Sequence, residues 1–307
     1  MKYTNLHGLP AVVVDALTLD SYSKGESDLS ISEMNDSVRI RLLRLKHDDE
    51  IVRDVTENAA IFQGNAIHAA MEKAANNRDD CISEERLFVT HESGYIYSGA
   101  IDLQIVKDDG TVIVIDFKQT SVWTLILNNM MVKEEWVQQT NGYAHLVEVS
   151  KGIKVSKLQI VVVLRDWKLS NLDWKSSNEK ASYPAAPIMV LDVPMWSPEK
   201  REAYINQRIK VFQDAKFKHL STNELPLCNE SERWVRGEKW AVMKKGRKSA
   251  MRGGLKATEA EAIEMAESLG SPYFVEHRKG KNVRCEGNFC QVAEWCEQFK
   301  EIKDGQD

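Results

Sequence analysis

Two aspartates and a lysine in one predicted β-hairpin are the residues of this sequence best placed to do chemistry. The first strand contains SGAID at 98–102, and the second contains VIDFK at 114–118. Side chains alternate between the two faces of a strand, so Asp116 and Lys118 share one face of the second strand. A hairpin whose exposed polar face happens to carry these charges is the alternative interpretation.

The turn between the two strands predicts how the aspartates face each other. A three-residue loop of Asp108, Asp109 and Gly110, with glycine in the left-handed conformation, is a common hairpin connection. Its register places Asp102 directly opposite Asp116, with Cβ atoms about 4.5–5.5 Å apart. Two ionised carboxylates at that separation destabilise a sheet, whereas a divalent cation between them reverses the effect because Mg²⁺ prefers carboxylate oxygens.

This arrangement suits phosphodiester hydrolysis. A metal ion lowers the pKa of a bound water and offsets the charge that develops on the phosphate. Lys118 lies one step beyond Asp116 on the same face, where it can orient the attacking water and screen the pentavalent anion. The residues alone therefore predict a cation site with an ammonium group beside it.

Two predicted helices carry further polar residues at helical spacing. Gly64, His68 and Glu72 are four residues apart and share one face, so His68 is a candidate third metal ligand through its imidazole. A packed or capped histidine is the alternative. Gln139 and Tyr143 share a face of the helix after the hairpin, and polar residues on a solvated helix are the alternative there.

In order and type, these residues resemble the PD-(D/E)xK nuclease superfamily, and within it the RecB-type nuclease domains. That pattern has a Gly-xxx-His-xxx-Glu helix, a Gly-x-(Ile/Val)-Asp strand, a (Asp/Glu)-x-Lys strand and a Gln-xxx-Tyr helix. The matching positions, within residues 30–215, are Gly64/His68/Glu72, 99–102, 116–118 and Gln139/Tyr143. Ile101 precedes the first aspartate where other members have proline, which is common in this branch. The second acid is aspartate rather than glutamate, which shortens its reach.

The resemblance implies an α/β restriction-endonuclease-like core with a mixed central sheet flanked by helices. It implies that His68, Asp102, Asp116 and the Phe117 carbonyl bind Mg²⁺ or Mn²⁺. The chain would then be a metal-dependent deoxyribonuclease. A non-catalytic DNA-binding or recombination accessory protein that keeps the fold is the alternative.

The same resemblance assigns the remaining site residues. Lys118 would be catalytic, and Gln139 and Tyr143 would orient the DNA strand or the lysine. The whole chain also resembles prophage-encoded members, which share the 165–167 strand end, the 234–252 stretch and the closing cysteines. Genes of that kind accompany single-strand annealing recombinases, which implies an exonuclease for phage-type recombination with such a recombinase as partner. A homo-oligomer stays open, because ring-shaped trimers occur among phage exonucleases.

Cysteines cluster at the end of the chain. Cys285, Cys290 and Cys296 lie close together in sequence, and Cys228 lies at the other end of the same predicted module. Four thiolates can hold zinc or an iron–sulfur cluster such as 4Fe-4S. RecB-type relatives combine three clustered cysteines with a distant one that precedes the histidine motif. Cys81 follows that motif here, so Cys228 is the better fourth candidate and Cys81 a core thiol. Four reduced thiols in a packed module are the alternative.

Basic residues concentrate in the same module. Residues 233–252 contain a single acid, Glu238, and the aromatic residues Trp234 and Trp240 are interleaved. Basic side chains contact phosphates and aromatic rings stack on unpaired bases, so the segment is a candidate DNA clamp, with a solvated basic strand pair as the alternative. The candidate contacts are Arg233, Lys239, Lys244, Lys245, Arg247, Lys248 and Arg252. Arg39, Arg41, Arg44 and Lys46 form a second, weaker patch on the first predicted helix.

Periodicity predicts the elements that position these residues. Residues 1–30 are predicted as an irregular leader, and a nuclease domain is predicted over 31–220. Its helices are predicted from an N-cap at Ser32 through Leu45, over 55–76, over 133–149 and from Pro198 to about 216. Its strands are predicted within 86–119 and over 157–165 and 187–193, and 168–184 is predicted as a loop.

A small C-terminal α+β, cysteine-containing module is predicted over 221–307. Its strands are predicted at 240–244, 247–252 and 272–278, and its helix at 257–269, capped by Thr258.

Composition excludes several classes of protein. The 307 residues are 43% hydrophobic and 28% charged, which is ordinary for a globular protein and excludes disorder as the main state. The apolar run 158–164 is far shorter than the roughly 20 residues that span a bilayer. A net charge of −5 excludes a globally basic binder but not a local basic patch. The start, MKYTNLHGLP, lacks a signal-peptide pattern, so we expect a cytoplasmic protein with reduced thiols and no membrane partner.

Overall fold

A computed structural model describes residues 1–19, 24–173 and 183–304. Its strands are β1 (Lys2–Thr4), β2 (Leu29–Ser30), β3 (Val52–Asp54), β4 (Cys81–Thr90), β5 (Ile96–Val106), β6 (Val112–Thr120), β7 (Val155–Leu164), β8 (Ile188–Asp192), β9 (Val235–Arg236), β10 (Lys239–Lys244), β11 (Ala250–Lys256), β12 (Tyr273–Arg278) and β13 (Lys281–Asn282). Its α-helices are α1 (Ala11–Thr18), α2 (Ile31–Met34), α3 (Val38–His47), α4 (Ala59–Ala75), α5 (Val122–Leu127), α6 (Glu134–Lys151), α7 (Pro198–Thr222), α8 (Glu230–Arg233), α9 (Glu259–Leu269), α10 (Val283–Glu286) and α11 (Glu297–Asp304).

The chain forms two compact units. The first contains Met1–Asp36 and Val52–Phe217, and the second contains Ser37–Ile51 and Lys218–Asp307. The predicted domain boundary at 220/221 lies close to the second break. The sequence analysis did not assign α3 to the C-terminal unit. No local sequence pattern shows that a segment packs with residues almost 200 positions later in the chain.

A mixed six-stranded sheet is the centre of the first unit. Its order is β2-β5-β6-β7-β8, and β4 pairs with β5 as well. The β5–β6 and β7–β8 pairs are antiparallel, whereas β6 and β7 are parallel. The predicted α/β architecture with a mixed sheet and flanking helices is therefore present. Helix α6 packs so closely on β5 that a Cβ at Gly99 would lie 2.7 Å from Leu146 Cδ1, so this position requires glycine.

The β5–β6 hairpin has the predicted register. Leu103 pairs with Ile115 and Val106 pairs with Val112, as a three-residue connection requires. Gly110 closes the turn with a φ of 77°, a left-handed conformation that glycine adopts without steric cost. Strand alternation and turn chemistry were sufficient to predict this element.

The helix predicted from a Ser32 cap through Leu45 is wrong. The segment forms two helices, α2 and α3, and Ser30 rather than Ser32 caps the first through a capping box with Glu33. The break falls at Asn35, Asp36 and Ser37. Consecutive short polar side chains of this kind favour caps and turns over helix interiors.

The first thirty residues are more regular than the irregular leader that the sequence predicts. They contain β1, α1 and β2, and β1 pairs in parallel with β3. Asp54 Oδ2 accepts a hydrogen bond from the Leu6 amide at 2.7 Å, which fixes the segment by a contact remote in sequence. Part of this stretch, and most of the predicted 168–184 loop, lie outside the described residues.

The C-terminal unit contains a three-stranded antiparallel sheet of order β11-β10-β12. Helix α9 covers one face, where Val242 packs with Ala262 and Ala266. Thr258 caps α9 as predicted, since its hydroxyl accepts a hydrogen bond from the Glu261 amide. Strand β11 begins three residues later than predicted. No helix within the described ranges is both long and apolar enough to cross a bilayer.

Candidate active site

Asp102 and Asp116 lie one step beyond the last paired residues of β5 and β6. At this point a side chain takes the place of a backbone hydrogen-bond acceptor between the strands. Asp102 Oδ2 accepts a hydrogen bond from the Phe117 amide at 2.7 Å. Asp102 is 7% exposed and Asp116 is 1% exposed. The two strands thus place two carboxylates side by side and out of water.

These carboxylates are electrostatically unfavourable as two ionised groups. Burial, with the charge of Asp116 as the next contribution, raises the pKa of Asp102 to about 7. Asp116 Oδ1 is buried, and no group among the described residues donates a hydrogen bond to it. A buried anionic oxygen without a donor is costly unless a cation occupies the neighbouring space.

Lys118 supplies one positive charge to the pair. Its Nζ lies 2.8 Å from Asp116 Oδ2, and its side chain is largely buried. Burial by itself lowers the pKa of Lys118, but the charges of Asp116 and Asp102 outweigh that effect and raise it. The side chain is therefore an ammonium group rather than a proton acceptor.

His68 projects from α4 towards the same acids. Its Nδ1 lies 3.1 Å from Glu84 Oε1 and 3.7 Å from Asp102 Oδ1, and its ring meets Phe117 edge-on. The hydrogen bond with Glu84 contributes most to raising the pKa of His68, against the opposing effect of burial. A metal ion on this imidazole would take the place of its proton.

Glu84 is a candidate site residue that the sequence interpretation missed. Ligand atoms of His68, Glu84 and Asp102 all lie within 4.8 Å of one another, a grouping that could hold a metal ion. Glu84 has a φ of 51° in the middle of β4, and left-handed backbone is uncommon for a residue other than glycine. Its neighbour Glu85 bonds instead to Gln104 and Lys151. Strand alternation could not show which of two adjacent glutamates faces the site.

The other residues of the predicted motifs have varied environments. Gln139 Nε2 donates to Tyr143 Oη at 2.6 Å, and Tyr143 is buried against β5. Glu72 is exposed, and Gly64 is half-buried with open space where a side chain would begin. The geometry thus joins Gln139 to Tyr143, and the roles of both residues stay predictions.

In the second unit, six of the seven predicted nucleic-acid contacts lie on the β10–β11 hairpin. They are exposed: Lys239, Lys244, Lys245, Arg247, Lys248 and Arg252. Arg233 differs, since it is half-buried and its Nη1 donates to Asn282 Oδ1 at 2.5 Å. Trp240 stacks on His277 with ring centroids 4.9 Å apart, so only part of that ring is open to another partner.

The weaker basic patch predicted on the first helix is wrong for Arg39. This side chain is 6% exposed, and its guanidinium donates to Cys296 Sγ and to the Leu225 and Pro226 carbonyls. Its place on the same predicted helix was the reason for grouping it with Arg44 and Lys46, which are exposed.

The four predicted cysteine ligands line one cavity of the second unit. Cys228, Cys285, Cys290 and Cys296 contribute to its wall, and all are free thiols. Burial raises the pKa of Cys228 and of Cys285 to about 11, so both are protonated at neutral pH in the metal-free chain. Cys81 belongs to β4 of the first unit and is separate from this group.

Comparisons with known proteins give little similarity. No protein-family model matches the chain, and no curated protein matches it. The protein SSO0001, known from a crystal structure, is 14% identical, with 62% of this chain and 79% of that chain covered and a TM-score of 0.43. The alkaline exonuclease LHK-Exo from Laribacter hongkongensis is 15% identical, with 50% of this chain and 71% of that chain covered and a TM-score of 0.28. Neither similarity carries an argument about this chain.

Proposed function

We propose that the chain is a Mg²⁺- or Mn²⁺-dependent DNA nuclease that hydrolyses phosphodiester bonds. One observation carries the proposal: Asp116 is buried with an oxygen that receives no hydrogen bond, next to Asp102 and Lys118. Hard divalent cations prefer carboxylate oxygens, so the donor set fits such an ion. We propose a PD-(D/E)xK-type core on this geometry and on the order of its motifs.

The side chains proposed to hold the cation are His68, Asp102 and Asp116, together with the Phe117 carbonyl. Glu84 joins them because its carboxylate contacts His68. When bound, the ion would lower the pKa of a water and offset negative charge on the phosphate. The Phe117 amide keeps Asp102 aimed at this position through its hydrogen bond.

Lys118 is the proposed catalytic residue of the chain itself. Because it stays protonated, it acts through its charge: it orients the attacking water and stabilises the extra negative charge on the phosphate. Its contact with Asp116 holds the ammonium group beside the acids. We propose that Gln139 and Tyr143 act as a bonded pair that positions the DNA strand or this lysine.

We further propose an exonuclease of phage-type recombination or DNA processing, with DNA as substrate. A single-strand annealing recombinase, a homo-oligomeric state and a cytoplasmic location belong to the same proposal. Support for DNA comes from the exposed basic hairpin of the second unit, because lysine and arginine side chains bind phosphates without sequence preference.

Digestion of end-labelled linear DNA and of circular DNA tests this function. We expect Mg²⁺-dependent cleavage of the linear substrate that EDTA stops, and no cleavage of the circle. Asp116→Ala and Lys118→Ala should abolish cleavage with the fold retained. Asp108→Asn, at an exposed turn position of the same hairpin, is the matched control. Full activity in both site variants would refute the assignment, and cutting of the circle would favour an endonuclease.

A non-catalytic DNA-binding accessory protein is the second candidate. The basic hairpin favours it, because that surface lies in the unit that does not contain the acidic residues. This function predicts salt-sensitive DNA binding without turnover under any divalent metal. A wild-type protein that binds DNA and never cleaves it would establish this candidate over the nuclease.

We also propose that Cys228, Cys285, Cys290 and Cys296 hold a zinc ion or a 4Fe-4S cluster. The fit rests on four thiols in one cavity wall, since both groups take four cysteine ligands. A group bound there would crosslink segments distant in sequence and stabilise the second unit. Metal, iron and sulfide analysis of anaerobically purified protein distinguishes zinc, cluster and plain thiols.

A further inference from the structure

The cavity lined by the four cysteines also has charged residues in its wall. They are Arg39, Arg233, Arg284 and Glu232. The rest of the wall includes apolar side chains such as Ile40, Leu43 and Val292. Charge in such surroundings is screened weakly and needs a partner.

Arg39 is the cation most firmly committed to this cavity. Its Nε donates to Cys296 Sγ at 3.2 Å, and its Nη1 donates to the Leu225 and Pro226 carbonyls at 3.2 and 3.3 Å. None of these acceptors carries a full negative charge. A neutral thiol is a weak acceptor, whereas a metal-bound sulfur carries negative charge and accepts strongly. The geometry of Arg39 therefore suits the metal-bound form of Cys296.

A second contact from the same helix reaches another cysteine. Ser37, at the N-cap of α3, has its Oγ 3.1 Å from Cys228 Sγ. Two sulfurs of the proposed site thus have polar neighbours on α3, which is far from all four cysteines in sequence. Polar groups that contact ligand atoms orient the ligands and tune the metal.

The proposed group would be anionic. Zinc with four thiolates carries two net negative charges, and so does an oxidised 4Fe-4S core with four thiolates. The Arg39 guanidinium, which contacts Cys296 Sγ, would place positive charge beside either group. We infer that Arg39 is the positioning and charge-compensating residue of a dianionic metal–tetrathiolate site, an inference that rests on the proposed cysteine site.

The experiment uses the full chain, purified without oxygen as the wild type, Arg39→Gln, Arg39→Lys and Arg44→Gln. Arg44 is the matched control, because it lies on α3 and is exposed. Metal and sulfide content identify the group, and chelator competition measures its affinity. We expect Arg39→Gln to weaken metal binding about 10–100-fold, the usual effect of removing a partner of a metal ligand. Arg39→Lys should restore part of the loss because it keeps the charge, and Arg44→Gln should match the wild type.

If the group is an iron–sulfur cluster, its reduction potential gives a second measurement. A purely structural role of Arg39 would not change that potential. Loss of a positive charge and of a hydrogen bond to sulfur should lower the reduction potential in Arg39→Gln relative to Arg44→Gln. Equal affinity and equal potential in those two variants would overturn the inference. So would equal loss of the metal-free fold in Arg39→Gln and Arg39→Lys, because that result would make Arg39 a packing residue.

Wild-type protein without metal or sulfide would overturn both the cysteine site and this role of Arg39. The nuclease proposal would survive that result, because it depends on Asp102, Asp116 and Lys118 of the other unit. A wild-type protein that binds metal at the cysteines but does not cleave DNA would refute the nuclease proposal and leave the cysteine site intact.

Discussion

The acidic centre of the first unit and the cysteine cavity of the second offer different kinds of ligand to a metal. Glu84, Asp102 and Asp116 supply three carboxyl groups next to His68 and the ammonium of Lys118. The cysteine cavity supplies four thiols, with Arg39 in contact with one of them. A hard divalent cation suits the oxygen ligands, whereas zinc or an iron–sulfur cluster suits the sulfur ligands.

This difference also concerns how each site is assembled. Asp102, Asp116 and Lys118 lie on adjacent strands of one hairpin, so backbone pairing alone brings them together. The cysteine cavity combines α3 with residues 228–302, which only tertiary packing brings together. The Asp102–Asp116–Lys118 part of the first site therefore depends on local geometry, whereas the cysteine cavity depends on tertiary packing within its unit.

The largest effect is expected at Asp116. Asp116→Asn keeps the shape of the side chain but removes a buried charge, so we expect DNA cleavage to fall about 10³-fold or more. The stability of the metal-free protein should change little, because the neutral amide relieves repulsion with Asp102 but also loses the ion pair with Lys118. Mg²⁺ should raise the melting temperature of the wild type but not of the variant. Equal stabilisation of both proteins by Mg²⁺ would place the cation elsewhere.

The second largest effect is expected at Glu84. Two substitutions there separate the cost of its left-handed backbone from its proposed role in metal binding. Glu84→Gly accommodates the left-handed φ, so we expect a gain in stability of about 1 kcal/mol. The same change removes a carboxylate from the centre and should weaken Mg²⁺ binding about 10–100-fold.

Glu84→Gln is the matched control for this prediction. It keeps the backbone strain and removes only the charge, so it should lose Mg²⁺ affinity without the gain in stability. Denaturant unfolding and Mg²⁺ titration of the two variants measure both effects. A less stable Glu84→Gly protein with normal Mg²⁺ affinity would contradict the assigned role.

The sequence predicted the acidic centre better than the cysteine environment for a physical reason. Strand alternation and the turn at Gly110 determine the Asp102–Asp116 relationship within fifteen residues. Glu84 was missed because its left-handed backbone breaks the alternation on which the prediction relied. Arg39 was predicted on a surface because the local sequence cannot show that residues 225–296 of the same unit cover that side chain.

A pH effect is expected to be smaller, and it tests the acidic centre alone. The pKa of Asp102 is raised from 3.8 to about 7, so the folded metal-free protein binds a proton that the unfolded chain does not bind between those values. Its stability should therefore rise as pH falls from about 7 towards 4. Mg²⁺ should reduce this slope because it replaces the proton, and Asp102→Asn should remove it.

Stability curves at several pH values, with and without EDTA, measure this effect. The cysteine cavity offers a contrast, because the pKa values of Cys228 and Cys285 are raised to about 11, above this window. Cys228→Ser should therefore leave the slope between pH 4 and 7 unchanged. A slope that survives in Asp102→Asn would assign it to another group.

The basic hairpin should give the smallest effect on the chemistry, because it belongs to the unit that does not contain the acids. Lys244→Gln with Lys248→Gln removes two exposed charges, one at the end of β10 and one in the connection to β11. The logarithm of the DNA-binding constant falls linearly with the logarithm of the salt concentration. Each lost phosphate contact should reduce the steepness of that line by about 0.7–0.9. Cleavage at saturating DNA should change little, because neither lysine belongs to the acidic centre. Lys210→Gln with Lys216→Gln on α7 is the matched control for total charge, and an equal loss of salt dependence there would show that the hairpin has no special part in binding.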